Sequence, residues 1–324
     1  MKIVDIYARL KKDMNDIEKE LEKSIYTDHI TMRETSVHLL KAGGKRIRPI
    51  FVLLSGQFGD YRLERLQNIA VPMELIHMAT LVHDDVIDDA NTRRGQLTVK
   101  SKWDNRIAMY TGDYIFAKAL GVVTQLPNPI IHQIMSKAIV DMCIGEMEQI
   151  RFFFQTDQTV RNYLLRIKRK TALLIAISCQ LGAIASDASE EDAKRLYSYG
   201  YNVGMAFQIR DDLLDLCGTE RQIGKPPGSD IKQGNITLPV IFALQDPTMR
   251  DSILKEIERI HELDGQTDVS EFLAIIRKSI GIARSEQLVT RYIEKAIHSL
   301  TGLPDLQAKQ DLARIAHFVG NRTY

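Results

Sequence analysis

The chain has 324 residues, 44% hydrophobic and 26% charged, with a formal net charge of +1. That is ordinary for a globular protein with a sizeable core. The near-zero charge excludes a global field that would draw in nucleic acid or anionic lipid, so any anion site must be built locally from lysine and arginine.

The first segment, MKIVDIYARLKKDMND, is charged almost at once and has no apolar core of signal-peptide type. No later apolar run approaches the length of a membrane span, and the expectation is a soluble cytoplasmic protein. Cys143, Cys179 and Cys217 are too few and too scattered for a disulfide framework or a Cys-x-x-Cys zinc site. Apolar residues recur at three- and four-residue spacing throughout, and no convincing alternating strand or strong hairpin signal is found. The fold class predicted is all-α: one large helical bundle over residues 1–324, with its site between facing helices.

In chain order, a break at Ala42-Gly43-Gly44 is followed by three cations, Lys45, Arg46 and Arg48. The stretch from Val71 to Asp89 reads as a helix. On it Asp84 and Asp88 are four apart and share a face with Thr80, His77, Ile76 and Met73. Arg93-Arg94-Gly95 follows after a short turn. Asn128-Pro129 marks a helix start, as does Ser189 ahead of Glu190-Glu191-Asp192, a capping box with a shorter acid. Lys170-Thr171 ends a basic stretch. A helix near Gly200 to Leu216 repeats the acidic pattern, with Asp211 and Asp215 on one face with Gln208, Phe207 and Gly204. A further break spans Gly224-Lys225-Pro226-Pro227-Gly228.

The two Asp-Asp-x-x-Asp clusters carry the chemistry. Like charges one turn apart destabilise a helix and make an expensive core unless a cation compensates them. Magnesium takes carboxylate oxygens, keeps several waters and completes its shell with phosphate. A single acidic run is often only a solvated face; two copies, each ending an apolar helical stretch, point to magnesium and a diphosphate. The spacing lacks the alternating ligands and central glycine of an EF-hand. Arginine forks and lysine charges are the complementary grips for phosphate.

Together these motifs resemble the trans-isoprenyl diphosphate (polyprenyl) synthases. The matching pieces are Gly43 to Pro49, His83 to Asp89 with Arg93-Arg94-Gly95, Lys170-Thr171, Phe207-Gln208 with Asp211 to Asp215, and Gly224-Lys225. They occur in the family's order and cover most of the chain. The resemblance implies an all-α bundle around a deep central cavity and three magnesium ions per site. It makes Asp84, Asp88, Asp211 and Asp215 the metal ligands, supported by Asp85 and Asp212. Arg93, Lys170, Thr171, Gln208 and Lys225 become the grip on an allylic diphosphate, and Lys45, Arg48, His77 and Arg94 the metal-free site for isopentenyl diphosphate. One departure is Asn235, where many short-chain members carry lysine; Lys232 is the nearby candidate replacement.

Short-chain members tend to place an aromatic residue four or five positions before the first aspartate. Here those positions hold Thr80 and Ala79, with Ile76 and Met73 further back. A helix advances about 5.4 Å per turn, roughly one isoprene unit. The resemblance accordingly implies a long product, in the hexaprenyl to octaprenyl range, with heptaprenyl the first choice by the likeness described next. The wording around Met78 to His83, Met109 to Tyr114, Lys170 to Ala176 and Gly234 to Pro239 resembles the catalytic subunits of two-component members. That implies farnesyl diphosphate as primer, a menaquinone side chain as the use of the product, and a small non-catalytic partner subunit in a heterodimer, a homodimer being the alternative. A terpene cyclase fits less well, because the second cluster is intact and Lys45 and Arg48 are present. A non-catalytic prenyl-binding subunit would be expected to lose such residues.

Overall fold

A computed structural model describes residues 3–220 and 226–321. Among them the chain is helical apart from one pair of two-residue strands. The chain divides into two compact units, each assembled from three separate stretches: Met1–Met135, Ile177–Tyr197 and Gly302–Leu312, then Ser136–Ala176, Ser198–Thr301 and Ala313–Tyr324.

In the first unit, α1 (Ile3–Ser24) presents Ile6, Leu10, Ile17 and Leu21, an apolar stripe at helical spacing, and all four are buried. It packs on α3 (Ile47–Gly56), α4 (Leu63–Ile87) and α6 (Asn105–Val123); α2 (Ile30–Lys41) and the one-turn α5 (Val99–Lys102) pack on α6. From Pro49 to Gly56 every residue of α3 is buried, and α4 is buried on most of its surface. Helices hydrophobic all round belong in the middle of a core. Gly112 of α6 lies against the His83 ring, so a Cβ there would collide with the imidazole.

The helix with the first acidic cluster begins earlier than its sequence suggests, at Leu63, and ends at Ile87 with Asp88 as its C-cap. The Asp88 amide still donates to the Asp84 carbonyl at 2.8 Å, so the one-turn spacing of the two carboxylates is kept. A small hairpin follows, which the sequence reading did not expect. Strands β1 (Thr92–Arg93) and β2 (Gln96–Leu97) pair antiparallel around Arg94 and Gly95. Both turn residues have positive φ, 54° and 76°, as a type I′ turn requires. An Arg-Gly turn lacks the usual Asn or Asp, and its strands are too short to alternate.

The second unit takes α7 (Pro129–Arg151) from Ser136 onward, and of the helices that follow, residues 177–197 and 302–312 belong to the first unit. Asn128 accepts from the Ile130 amide at 3.0 Å, which confirms the predicted start. Helix α8 (Val160–Ile167) runs into a π-turn, Lys168–Ala172, and then α9 (Leu173–Ala185). Helix α10 (Glu190–Cys217) starts where the Ser189 hydroxyl accepts from the Asp192 amide at 3.0 Å. Beyond it come α11 (Ser229–Lys232), α12 (Leu238–Ala243), α13 (Pro247–Glu262), α14 (Ser270–Lys278), α15 (Ile280–Ser299) and α16 (Gln307–Asn321). Helices α12 and α15 pack closely, with Gly281 against the Pro239 carbonyl. No helix among the described residues is long and apolar enough to cross a membrane.

Candidate functional site

The predicted residues fall into three groups: an acidic and a cationic group in the first unit, and a mixed group in the second.

The first acidic group occupies the end of α4. Asp84 and Asp88 are partly exposed, whereas Asp85 is buried. Burial raises the Asp85 pKa, and Arg93 opposes that shift. Arg93 reaches it from the hairpin with two donors on one oxygen, Nε at 2.8 Å and Nη2 at 2.7 Å. The tight turn thus delivers a guanidinium to a carboxylate eight residues upstream. Asp89, at positive φ, pairs with Lys100.

The cationic group gathers around a residue that sequence reasoning missed, Glu74. It sits one turn before His77 on α4 and is buried. Arg46 donates to its Oε1 at 3.2 Å and forks onto Glu18 of α1 at 2.8 and 3.0 Å. Arg46 caps α3 in the left-handed region and is itself buried, so it belongs to the scaffold. Arg48 and Arg94 also feel the Glu74 charge, and burial pulls the Arg48 pKa down to about 10. The Nε of Arg48 and Oε2 of Glu74 are buried with no hydrogen-bond partner.

Gly44 allows a close approach: a Cβ there would stand 2.6 Å from Nη1 of Arg94. His77 is half-buried. Burial first, then Arg48, Arg94, Arg93 and Arg46, hold its pKa well below the ordinary value. Lys45 is exposed, and its carbonyl accepts from the Tyr7 hydroxyl at 2.6 Å. The chain-length candidates Met73, Ile76 and Ala79 are fully buried in the first unit. Thr80 is half-buried and donates to the His77 carbonyl at 2.8 Å.

In the second unit the π-turn presents Lys170 and Thr171. Lys170 pairs with Glu146 of α7 at 2.7 Å, and its neighbour Arg169 pairs with Glu148 at 2.5 Å. Thr171 donates to Oε1 of Gln208 at 2.7 Å, and Gln208 donates to Oδ1 of Asp212 at 2.9 Å. The other oxygen of Asp212 accepts from Tyr163 at 2.5 Å. Asp212 is buried, and that burial, with Asp230 nearby, drives its pKa up. Burial raises Tyr163 as well.

Asp211 is exposed. Asp215 is buried; it accepts from the Ser229 hydroxyl at 2.7 Å and the Asp230 amide at 3.2 Å, fastening the start of α11. Near Asn235 the local cation is Arg166, buried, which donates to the Ile236 carbonyl at 3.0 Å and to Gln158 at 3.1 Å. Lys232 and Asn235 are both half-buried. Lys225 and Arg322 lie outside the described residues.

Glu74, Tyr163, Arg166, Glu146 and the π-turn were not found from the sequence. Only Tyr163 and Glu74 carried a hint, as a phenol and a carboxylate within apolar helical stretches. The donor chemistry fits magnesium. In each cluster the middle aspartate is buried, while Asp84 and Asp88 are partly exposed and Asp211 is exposed. Among the described residues no three His, Cys, Asp or Glu side chains converge on one point. Magnesium needs only one or two carboxylates, with water and phosphate oxygens for the rest.

A sequence profile described as polyprenyl synthetase matches residues 29–276. Component 2 of heptaprenyl diphosphate synthase from Geobacillus stearothermophilus is 51% identical over 327 residues, covering 100% of both chains. The crystal structure of heptaprenyl diphosphate synthase from Staphylococcus aureus superposes with a TM-score of 0.90 at 41% identity, over 97% of this chain and 99% of that one. A geranylgeranyl pyrophosphate synthase from Corynebacterium glutamicum, solved with calcium and isoprenyl diphosphate, gives a TM-score of 0.82 at 31% identity, over 98% and 97%.

Proposed function

The chain belongs to the polyprenyl synthetase family, and from that premise we propose that it is a trans-prenyltransferase making heptaprenyl diphosphate. It condenses isopentenyl diphosphate with an allylic diphosphate, farnesyl diphosphate being the primer, and works as one synthase domain over residues 1–324. One observation carries this reading: the first unit holds a carboxylate group and, separately, a guanidinium–imidazole group. A condensation of two diphosphates, one with metal and one without, needs that pair of chemistries.

Arg48, Arg94, His77 and Lys45 hold the metal-free diphosphate, with Glu74 keeping the guanidinium groups together. Arg93, Lys170, Thr171, Gln208 and Lys225 hold the allylic diphosphate. Asp84, Asp88, Asp211 and Asp215 are the ligands for magnesium, three ions per site, and Asp85 and Asp212 brace them. Bound magnesium supplies electrostatic stabilisation of the departing diphosphate. The allylic carbon–oxygen bond breaks, and the double bond of isopentenyl diphosphate attacks the allylic carbon. The proton lost goes to the released diphosphate, so no side chain need act as base. Apolar side chains keep water from the cation meanwhile.

The small residues Ala79 and Thr80, with Met73 and Ile76 behind them, set a long product, used as a menaquinone side chain. The relative's designation as component 2 supports a heterodimer with a small non-catalytic subunit. The test is incorporation of radiolabelled isopentenyl diphosphate onto farnesyl diphosphate, with the chain alone and with such a subunit. Incorporation only with the subunit is the expected result. Full activity alone would favour a homodimer, and none in either arm would overturn the enzyme reading. Chain length is tested by Ala79→Tyr, which should shorten the product seen by chromatography; unchanged length would remove Ala79 from the path of the tail.

A further inference from the structure

We propose that Tyr163 is a positioning residue for the second acidic cluster. Its hydroxyl and the Gln208 amide each hold one oxygen of Asp212, which locks the π-turn bearing Lys170 onto the helix bearing Asp211 and Asp215. The inference rests on the reading that Asp211 and Asp215 are magnesium ligands and Lys170 a diphosphate grip.

The hydrogen bonds form one uninterrupted run: Thr171 to Gln208 at 2.7 Å, Gln208 to Asp212 at 2.9 Å, and Tyr163 to Asp212 at 2.5 Å. Gln208 and Asp212 are one turn apart on α10, so they face the same neighbour. Tyr163 and Thr171 are eight residues apart. Eight residues of regular α-helix would leave them about 80° apart in azimuth. The extra residue taken up by the π-turn Lys168–Ala172 removes most of that difference and brings both side chains to α10.

The backbones are close there: a Cβ on Gly204 would stand 2.6 Å from the Cα of Ala172. A π-turn interrupts the regular helical ladder and survives only where its surroundings hold it. Tyr163 supplies that hold from the α8 side. It is buried, and its ring lies 5.6 Å from the guanidinium carbon of Arg166, which is fixed in turn by Gln158 and Ile236. Asp212 therefore acts as the pin between two elements, and Tyr163 keeps the pin in place without reaching a substrate.

The experiment measures inorganic pyrophosphate affinity by calorimetry, with and without magnesium, in whichever assembly supports product formation. Wild type, Tyr163→Phe, Asp212→Asn and the double variant are compared, together with the unliganded melting temperature and KM for isopentenyl diphosphate. Tyr163→Phe keeps the ring and its packing and removes one donor. The expected result is a loss of about tenfold in magnesium-dependent pyrophosphate affinity, the scale of one buried hydrogen bond to a charged group. The KM for isopentenyl diphosphate should stay within about twofold, and the double variant should be no weaker than Asp212→Asn alone.

Pyrophosphate affinity unchanged while the unliganded melting temperature falls would assign Tyr163 to folding only and overturn the proposal. Additive losses in the double variant would overturn it too, since Tyr163 would then act elsewhere. If wild type shows no magnesium-dependent pyrophosphate binding, the functional reading itself fails, and the inference with it. Should Tyr163→Phe not fold, Asp212→Asn carries the test by itself: it weakens the acceptor of the same bond and must produce the selective loss of pyrophosphate affinity with the KM for isopentenyl diphosphate held, and an unchanged affinity there overturns the proposal.

Discussion

The two acidic clusters share a motif but solve the same electrostatic problem differently. In each, the middle aspartate is buried, and in each the cluster sits at the C-terminal end of a helix, where the macrodipole disfavours negative charge by about 0.3–1 kcal/mol per group. Around Asp85 the compensation is a full positive charge, the Arg93 guanidinium. Around Asp212 it is a pair of neutral donors, Tyr163 and Gln208, with the negative Asp230 close enough to raise the pKa further. The first unit extends its pattern to Glu74, one buried carboxylate shared by Arg46, Arg48 and Arg94. The same sequence motif thus gives a charge-balanced site in one unit and a hydrogen-bonded one in the other. A cation approaching the second cluster meets less resident positive charge at the middle aspartate.

That contrast can be broken by substitution. Arg93→Met should have the largest effect. It leaves the buried Asp85 carboxylate without its cation, costs about 3 kcal/mol in urea unfolding, and lowers kcat by at least about a hundredfold. A cost as small as that of removing a neutral donor would erase the distinction between the clusters. Glu74→Gln comes next. The buried Arg46 and the half-buried Arg48 lose a common anion, and unfolding free energy should fall by about 2 kcal/mol. The replacement Arg46→Met with Glu74→Gln should recover part of that loss, because the repulsion falls with the charge. Thr171→Val is the mildest. It removes one neutral hydrogen bond to Gln208 and should cost about 1 kcal/mol, with a selective rise in KM for the allylic substrate. An equal rise in KM for isopentenyl diphosphate would contradict the assignment of Thr171 to the allylic side.

Much of this was legible from residue order alone. Helical periodicity announced an all-α chain, and Asn128 and Ser189 marked helix starts that the structure places where expected. The acidic and basic motifs were visible because chemistry demands particular side chains at fixed spacing. Their supporting residues were not. Glu74 and Tyr163 look like chance polar residues in apolar helices until folding brings Arg46 to one and Asp212 to the other, 28 and 49 positions away. The type I′ turn at Arg94-Gly95 escaped because arginine, unlike asparagine, aspartate or glycine, has no local preference that announces its positive φ. The π-turn escaped because no composition specifies it.

What the sequence determined by itself was therefore the inventory: a helical chain, two acidic clusters, and the cations to grip phosphate. These follow from local periodicity and from the ionic character of single side chains, which need no partner to be read. Only the tertiary structure decided how each buried charge is compensated, because burial and the distance between residues far apart in sequence set both its cost and its remedy.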